Sequence, residues 1–276
     1  MLRSKGAPRL AGAPFFYFLL AFIAVLVQPA RAAALRDLAY GPDPAQRMDV
    51  YMPAHSAAAP ILLLVHGGAW KIGDKRHHAV IAAKTKHWTA KGFVVVSTNY
   101  RLNIPPDQQA ADISAAVAEI ERQASHWHAD PGRLIVMGHS AGAHLLALLH
   151  ARLGDQAPWR AAVLLDSAAL DVPAIMTKSP ARFYRQAFGR DPRQWQALSP
   201  WHQLHDATKP VLAVCSSYRR ESCAQAKSFV TRTQQLGGTA QLLPQPLSHR
   251  QINENLGSDK VYTAAVDHFI AGVVSP

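Results

Sequence analysis

A five-residue segment, Gly138-His139-Ser140-Ala141-Gly142, stands between an apolar run at 133–137 and a stretch of helical spacing at 143–153. A strand that turns sharply into a helix presents the side chain at its tip at the edge of a sheet. The strained backbone of such a turn leaves no room for side chains two residues on either side, and Gly138 and Gly142 meet that demand. We therefore predict that Ser140 is a nucleophile on a strand-to-helix turn.

Extended apolar runs alternate with longer stretches of helical spacing along most of the chain. The apolar runs lie at 61–65, 93–98, 134–137, 161–165, 211–214 and 240–243, and the helical stretches at 77–91, 107–125, 143–153, 223–236 and 259–273. This order predicts an α/β fold with a mostly parallel central sheet and helices on both faces. Two alternating segments, 35–40 and 46–52, predict an antiparallel hairpin at the sheet edge.

Two segments depart from this alternation. Residues 166–205 are rich in proline and aromatic residues and only weakly periodic, which predicts a small lid-like insertion over the site. Residues 1–33 combine basic residues without acids, an apolar run of 13 residues at 15–27 and an A-x-A pattern at 30–32. This layout predicts a secretory signal peptide cleaved near Ala32 or Ala34, followed by one domain over 34–276.

The apolar run is short for the alternative, a membrane anchor, because a spanning helix needs about 20 apolar residues. We therefore expect a secreted or periplasmic protein with no stable membrane span after cleavage.

The chain has 29 Lys and Arg against 18 Asp and Glu. This excess is spread along the chain without a basic helix or basic and aromatic interleaving, so no nucleic-acid partner is expected.

Cysteine occurs twice, at Cys215 and Cys223. In an exported protein this pair predicts a disulfide, and two free thiols are the alternative.

Several histidine pairs occur, but none has cysteine or carboxylate partners at the spacing of a metal site, so no metal is expected.

Catalysis by a serine requires a base for its proton and donors for the oxyanion. Gly67 and Gly68 directly follow the apolar run at 61–65, and their N–H groups, with that of Ala141, are predicted to form an oxyanion hole. The base is predicted to be His249, since it alone among the 14 histidines follows the last strand and precedes the closing helix.

The third member should be an acid that orients the histidine. Glu221 is the only acid in the loop 215–223 after the run at 211–214, and we predict that it fills this role. Asp166 and Asp171, just after the run at 161–165, are the alternatives.

These motifs resemble, in order, those of the α/β-hydrolase fold and its carboxylesterase branch with an HGG-x-W loop. That branch includes kynurenine formamidase-like enzymes and bacterial feruloyl and acetyl-xylan esterases. The resemblance is carried by HGGAW at 66–70, NYRL at 99–102, Asp112, DPGR at 130–133, GHSAGAHL at 138–145 and His249. It implies hydrolysis through an acyl-enzyme without a cofactor, and Trp70 as a substrate-binding residue.

The chain departs from the family pattern at two positions. Relatives usually carry aspartate where this chain has Glu221, and often a third glycine where it has Ala69.

The function predicted is that of an exported serine carboxylesterase that acts on small or medium acyl esters. An amide hydrolase of the formamidase type is the alternative, and a catalytically inactive binding protein on the same fold is a third reading. The sequence indicates no oligomeric state.

Overall fold

The computed structural model describes residues 1–2, 34–55 and 57–274. Within these residues eight strands form one sheet in the order β1-β2-β4-β3-β5-β6-β7-β8. The strands are β1 (Ala34–Ala39), β2 (Arg47–Tyr51), β3 (Ala59–Val65), β4 (Val94–Thr98), β5 (Ala129–His139), β6 (Ala161–Leu165), β7 (Val211–Ser216) and β8 (Ala240–Gln245). β2 pairs antiparallel with β1 and with β4, and every other pair is parallel. The predicted edge hairpin and the mostly parallel sheet are confirmed.

Helices cover both faces of the sheet because its inner strands are apolar on both sides. They are α1 (His78–Ala90), α2 (Pro106–Gln123), α3 (Ala141–Leu153), α4 (Val172–Met176), α5 (Arg182–Phe188), α6 (Pro192–Ala197), α7 (Pro200–Gln203), α8 (Arg220–Gln235), α9 (His249–Glu254) and α10 (Lys260–Val274). On β3, Leu63 packs in one core with residues of α2, α3 and α8. Its neighbour Leu62 packs in a second core with residues of α1, α9 and α10.

The segment between β6 and β7 contains four short helices, α4 to α7. Three of them have proline in the first turn, where its missing N–H costs nothing. Side chains of Asp171 and Asp191 cap the N-termini of two of them. Helices of four to seven residues are too short to show a helical period, which explains the weak periodicity of this part of the sequence.

The predicted signal peptide, residues 1–33, lies outside the described residues except for Met1 and Leu2. Among the helices of the described residues, none has the length and apolar character that a transmembrane helix needs.

The parallel strands end at a common edge of the sheet, where ligands of open α/β sheets usually bind. Ser140 follows β5, Asp166 follows β6, and the loop that begins at His66 follows β3. His249 opens α9, and three residues separate it from the end of β8. The connections thus bring residues that are far apart in sequence to one edge.

Candidate active site

Ser140 lies at the turn between β5 and α3, with φ 55° and ψ −115°. This backbone conformation is uncommon for a residue with a side chain. The N–H of Ser140 donates to the carbonyl oxygen of Leu165 at 2.9 Å, which holds the turn against β6. A Cβ on Gly138 would come within 2.6 Å of the Gly142 backbone, and one on Gly142 within 2.4 Å of the Val65 carbonyl oxygen. The predicted strand-to-helix turn is present, and both glycines are sterically required.

The loop after β3 packs directly against this turn. A Cβ on Gly67 would lie 2.8 Å from the carbonyl oxygen of His139 and 3.0 Å from Cβ of Ser140. Gly68 has φ 122°, and Ala69 and Trp70 continue with positive φ values of 50° and 62°. Ala69, which stands where relatives often have a third glycine, therefore adopts a left-handed conformation.

The N–H groups of Gly67, Gly68 and Ala141 make no hydrogen bond to any described residue. All three residues line the cavity that contains Ser140. The predicted oxyanion-hole donors therefore belong to residues that line the cavity of Ser140, and no described residue accepts a hydrogen bond from them.

Trp70 lines the same cavity, but most of its surface is buried. Its indole Nε1 donates to Nδ1 of His144 at 3.2 Å, and Nε2 of His144 donates to the carbonyl oxygen of Leu198 at 2.8 Å. The Trp70 ring also packs edge-on against Phe188 at 4.9 Å between centroids. Burial lowers the pKa of His144 to about 4, so its ring is neutral and can accept from the indole. Trp70 thus ties the segment between β6 and β7 to the rest of the site.

Asp166 is the acid beside His249. Oδ2 of Asp166 lies 2.6 Å from Nδ1 of His249, and the Asp166 side chain is fully buried. Oδ1 of Asp166 accepts from the N–H of Ser216 at 2.8 Å and from the hydroxyl of Ser222. Asp166 itself has a φ of 51°, and its N–H donates to the carbonyl oxygen of Val214 at 2.8 Å. The carboxylate is thereby fixed by β7 and by the first turn of α8.

The same contacts keep this carboxylate ionised. Burial alone would raise the pKa of Asp166, because the charged form loses its hydration. Hydrogen bonds from His249, Ser216 and Ser222, together with the positive charge of Arg219, outweigh burial and hold the pKa of Asp166 well below its ordinary value. The site thus contains a buried negative charge directed at one nitrogen of His249.

Arg219 completes this cluster. Its Nη1 donates to Oδ2 of Asp166 at 2.6 Å and to the backbone oxygen of Asp166 at 3.3 Å, and it lies 2.7 Å from Nδ1 of His249. Arg219 stands in the loop closed by the predicted disulfide, which is present: Cys215 and Cys223 are joined, with their Cα atoms 5.1 Å apart.

The prediction that Glu221 contacts the histidine is corrected by the structure. Oε1 of Glu221 pairs with Nζ of Lys178 at 3.1 Å, and the two side chains are 57% and 69% exposed. The physical reason is that α8 begins at Arg220, so that Glu221 falls on the outer face of its first turn while Ser222 turns inward. The other alternative, Asp171, caps α4 and lies 3.7 Å from His202.

His249 is positioned by its neighbours as well as by Asp166. Ser248 and Gln251 form a reciprocal capping box at the start of α9, which orients the helix that His249 opens. Nε2 of His139 donates to the carbonyl oxygen of His249 at 3.0 Å, with the two rings 4.4 Å apart. Burial, with the neighbouring His249, lowers the pKa of His139 to about 3, so this supporting ring is neutral. No pattern in the sequence predicts this contact, because only the fold brings His139 and His249 together.

Ser140, Asp166 and His249 line one cavity of about 730 Å³. Phe183 and Tyr184 of α5 form part of its wall. This volume lies in the range of small-molecule sites. Among the described residues, no group of three or more His, Cys, Asp and Glu side chains is arranged to hold a metal ion.

Comparisons with known proteins agree with this architecture. A family model described as BD-FAE matches residues 48–181. The chain is 29% identical over 231 residues to an esterase of Mycobacterium tuberculosis, Esterase LipC, with 71% of this chain and 54% of that protein covered. It is 31% identical over 116 residues to isoprenylcysteine alpha-carbonyl methylesterase of Arabidopsis thaliana, with 41% of this chain and 26% of that protein covered.

The chain is also similar to kynurenine formamidase of Salmo salar, with 32% identity over 123 residues that cover 43% of this chain and 39% of that protein. The matched segments thus span about a quarter to about a half of these relatives. A solved structure, a truncated form of carbohydrate esterase from gut microbiota, superposes with a TM-score of 0.75 at 17% identity, covering 90% of this chain and 99% of that one. The chain therefore has the α/β-hydrolase fold, and the proteins that it resembles are esterases and a formamidase.

Proposed function

We propose that this α/β hydrolase is an exported serine carboxylesterase with Ser140, His249 and Asp166 as its catalytic triad. The observation that carries the proposal is the 2.6 Å contact between Asp166 and His249 in the cavity that also contains the strained Ser140 turn. Nucleophile, base and orienting acid are the parts that acyl transfer by a serine requires.

In the proposed reaction, Oγ of Ser140 attacks the carbonyl carbon of the ester while Nε2 of His249 takes the hydroxyl proton. Nδ1 of His249 donates to Asp166, which fixes the ring in the tautomer that leaves Nε2 free to accept. The buried carboxylate then stabilises the imidazolium. Since its pKa lies well below the ordinary value, Asp166 remains ionised throughout the neutral range.

The tetrahedral intermediate places a negative charge on the former carbonyl oxygen. The unused N–H groups of Gly67, Gly68 and Ala141 are the proposed donors to it. Each donor of this kind contributes about 3–4 kcal/mol to transition-state stabilisation. His249 next gives its proton to the leaving alcohol, which leaves an acyl group on Ser140. A water molecule activated by the same histidine hydrolyses this acyl-enzyme and restores the serine.

The cavity supports small or medium acyl esters as substrates. Its wall includes apolar groups from Ala168 and Ala169 and the rings of Phe183 and Tyr184. Such walls favour an acyl chain of limited size over a large polymer end. Trp70 acts in this proposal through its contacts with His144 and Phe188, and it touches substrate only with the small part of its ring that faces the cavity.

Export is part of the proposal. It is supported by the three-part layout of residues 1–33 and by the disulfide between Cys215 and Cys223, since disulfides persist in oxidising compartments. A secreted or periplasmic location follows. The measurement is N-terminal sequencing of the protein exported by cells that express the full chain. A new N-terminus near Ala32 or Ala34 is expected, and an uncleaved protein retained with the membranes would contradict export.

Hydrolysis of a formamide is the second candidate, because the chain resembles a kynurenine formamidase over 123 residues. The same serine, base and oxyanion donors would serve an amide. The two candidates are separated by kcat/KM for N-formylkynurenine against short-chain p-nitrophenyl and methyl esters with the same preparation.

The decisive experiment combines that panel with substitution of the nucleophile. Ser140→Ala is expected to lower kcat on the order of 10⁵-fold or more, as loss of a triad nucleophile does elsewhere. Ser125→Ala, at an exposed serine, is the matched control and should retain wild-type activity. A fluorophosphonate probe should label wild type at Ser140 alone. Hydrolysis by Ser140→Ala at the wild-type rate, or no hydrolysis of any substrate by wild type, would overturn the proposal.

A further inference from the structure

The guanidinium of Arg219 is only partly used by the protein. Its side chain donates to the described residues through Nη1 alone, to Oδ2 and to the backbone oxygen of Asp166. Nε and Nη2 donate to none of them, although the side chain is only 34% exposed. Arg219 also lines the cavity that contains Ser140. A half-buried guanidinium therefore borders the site with two of its three nitrogens uncommitted.

The chain around Arg219 holds this group in place. The disulfide between Cys215 and Cys223 closes the loop, and the N–H of Arg219 donates to the carbonyl oxygen of Ser216 at 3.0 Å. The carbonyl oxygen of Arg219 accepts in turn from the N–H of Cys223 at 3.3 Å. A guanidinium whose backbone and Nη1 are both fixed loses little conformational freedom when its other N–H groups bind a ligand.

The acidic side chains of the cavity other than Asp166 are engaged by partners other than Arg219. Arg250 and Glu254 neutralise each other through a 2.7 Å contact, and Asp74 accepts from the N–H of Arg76 and from Asn99. The charge of Asp166 is shared between Arg219 and His249. When His249 takes a proton during catalysis, its new positive charge stands 2.7 Å from Nη1 of Arg219. An anionic group of the substrate on the guanidinium would offset this repulsion.

We propose that Nε and Nη2 of Arg219 form a subsite for a carboxylate of the substrate, so that the preferred substrates are esters bearing a free carboxylate near the scissile bond. The two parallel N–H groups of a guanidinium match the two oxygens of a carboxylate. The guanidinium lies beside His249 and lines the same cavity as Ser140, so one small substrate can place its ester carbonyl at the serine and a carboxylate at Arg219. This inference rests on the proposed function, because it assigns the substrate class of the same site.

The test compares kcat/KM for monomethyl glutarate, whose carboxylate is on the acyl side, with methyl hexanoate as a neutral ester of similar length. Butyryloxyacetate, with its carboxylate on the alcohol side, is compared with ethyl butyrate. Wild type is expected to prefer the anionic ester of at least one pair by roughly ten- to hundredfold, as a charge-assisted bidentate contact provides. The pair that shows the preference identifies the side of the ester that faces Arg219.

Arg219→Met should abolish this preference, and Arg219→Lys should restore only part of it. Arg250→Gln, which removes a positive charge from the same cavity without contact to Asp166, is the matched control and should keep the preference. The ratio between paired esters is the readout, since Arg219→Met also disturbs Asp166 and lowers both rates. Equal kcat/KM within both pairs in wild type, or an unchanged preference in Arg219→Met, would overturn the inference while leaving the esterase proposal intact.

A binding measurement keeps the two proposals separate. Monomethyl glutarate should bind to Ser140→Ala in calorimetry, and the heat should vanish in the double variant Ser140→Ala, Arg219→Met. If wild type hydrolyses no ester, the proposed function fails, and this binding result alone supports or overturns the carboxylate subsite.

Discussion

Oδ2 of Asp166 lies 2.6 Å from Nδ1 of His249, although 83 residues separate the two in the chain. Asp166 follows β6 directly, and His249 opens α9 after β8, two strands farther along the sheet. Strand β7 lies between β6 and β8, and it also contacts this carboxylate. The N–H of Ser216, at the end of β7, donates to the other oxygen of Asp166 at 2.8 Å. The carboxylate that contacts His249 is therefore fixed at the sheet edge, directly after β6.

Asp166→Asn should lower kcat by about 10⁴-fold, since the amide keeps the size of the side chain but does not hold the histidine in its productive tautomer. Glu221→Gln should change kcat less than about twofold, because it removes only an exposed ion pair with Lys178, and such pairs contribute little. Initial rates with a short-chain p-nitrophenyl ester, with circular dichroism to verify folding, give the comparison. A large loss in Glu221→Gln with little change in Asp166→Asn would return the acid to the loop.

The sequence predicts the fold well because the central strands are apolar on both faces and the helices between them are long. It also predicts that Ser140, the glycine loop and His249 belong to one site, since each directly follows or precedes a strongly patterned element, and the structure places all three at one cavity. Glu221 is misassigned because hydrophobic pattern does not reveal where α8 begins. That helix starts at Arg220, three residues before the predicted stretch at 223–236, so Glu221 lies in its first turn. A better signal was the position of Asp166, which follows its apolar strand as closely as Ser140 follows β5.

The disulfide should contribute to stability and to the placement of Arg219. Replacing Cys223 by Ser is expected to lower the free energy of unfolding by about 2–3 kcal/mol, the gain from closing a loop of this length. Dithiothreitol should lower the Tm of wild type and leave that of Cys223→Ser unchanged. A Tm of wild type that does not respond to complete reduction, verified by thiol titration, would show that the bond adds no stability.

Buried histidines make stability depend on pH in the acidic range. Burial lowers the pKa of His139 to about 3 and those of His144 and His150 to about 4. In the unfolded chain these groups bind protons below their ordinary pKa of about 6.5, so the unfolded state holds more protons between about pH 4 and 6.5. Stability should therefore fall as pH falls through this window, by up to about 1.4 kcal/mol per pH unit for each histidine.

Urea unfolding at several values between pH 4.5 and 7 measures this slope. His150→Gln should remove the contribution of one proton from the slope of stability against pH. Glutamine is chosen because it can still accept from the Trp159 indole, which donates to Nδ1 of His150 at 3.1 Å. His126→Gln, at an exposed position, should leave it unchanged. Parallel pH profiles for wild type and His150→Gln would show that His150 is protonated in the folded protein.

Lys84 should produce a second window of the same sign, at alkaline pH. Its side chain is buried on α1, where Nζ donates to the carbonyl oxygen of Ala79 at 3.1 Å, to Oδ1 of Asn253 at 2.8 Å and to the carbonyl oxygen of Asn253. Lys84 thereby holds α9, the helix that begins with His249. Burial lowers the pKa of Lys84 to about 7 from an ordinary value of 10.5.

Between these two values the unfolded chain keeps the lysine proton that the folded protein releases, so stability should rise with pH by up to about 1.4 kcal/mol per unit. Lys84→Met should remove this rise and lower kcat, since α9 loses its tether. Lys86→Met, at an exposed position on the same helix, should change neither. Urea unfolding from pH 7 to 10 and initial rates with one ester give both readouts. A rise that persists unchanged in Lys84→Met would assign it to other groups, and a wild-type kcat in that variant would show that α9 is held without this lysine.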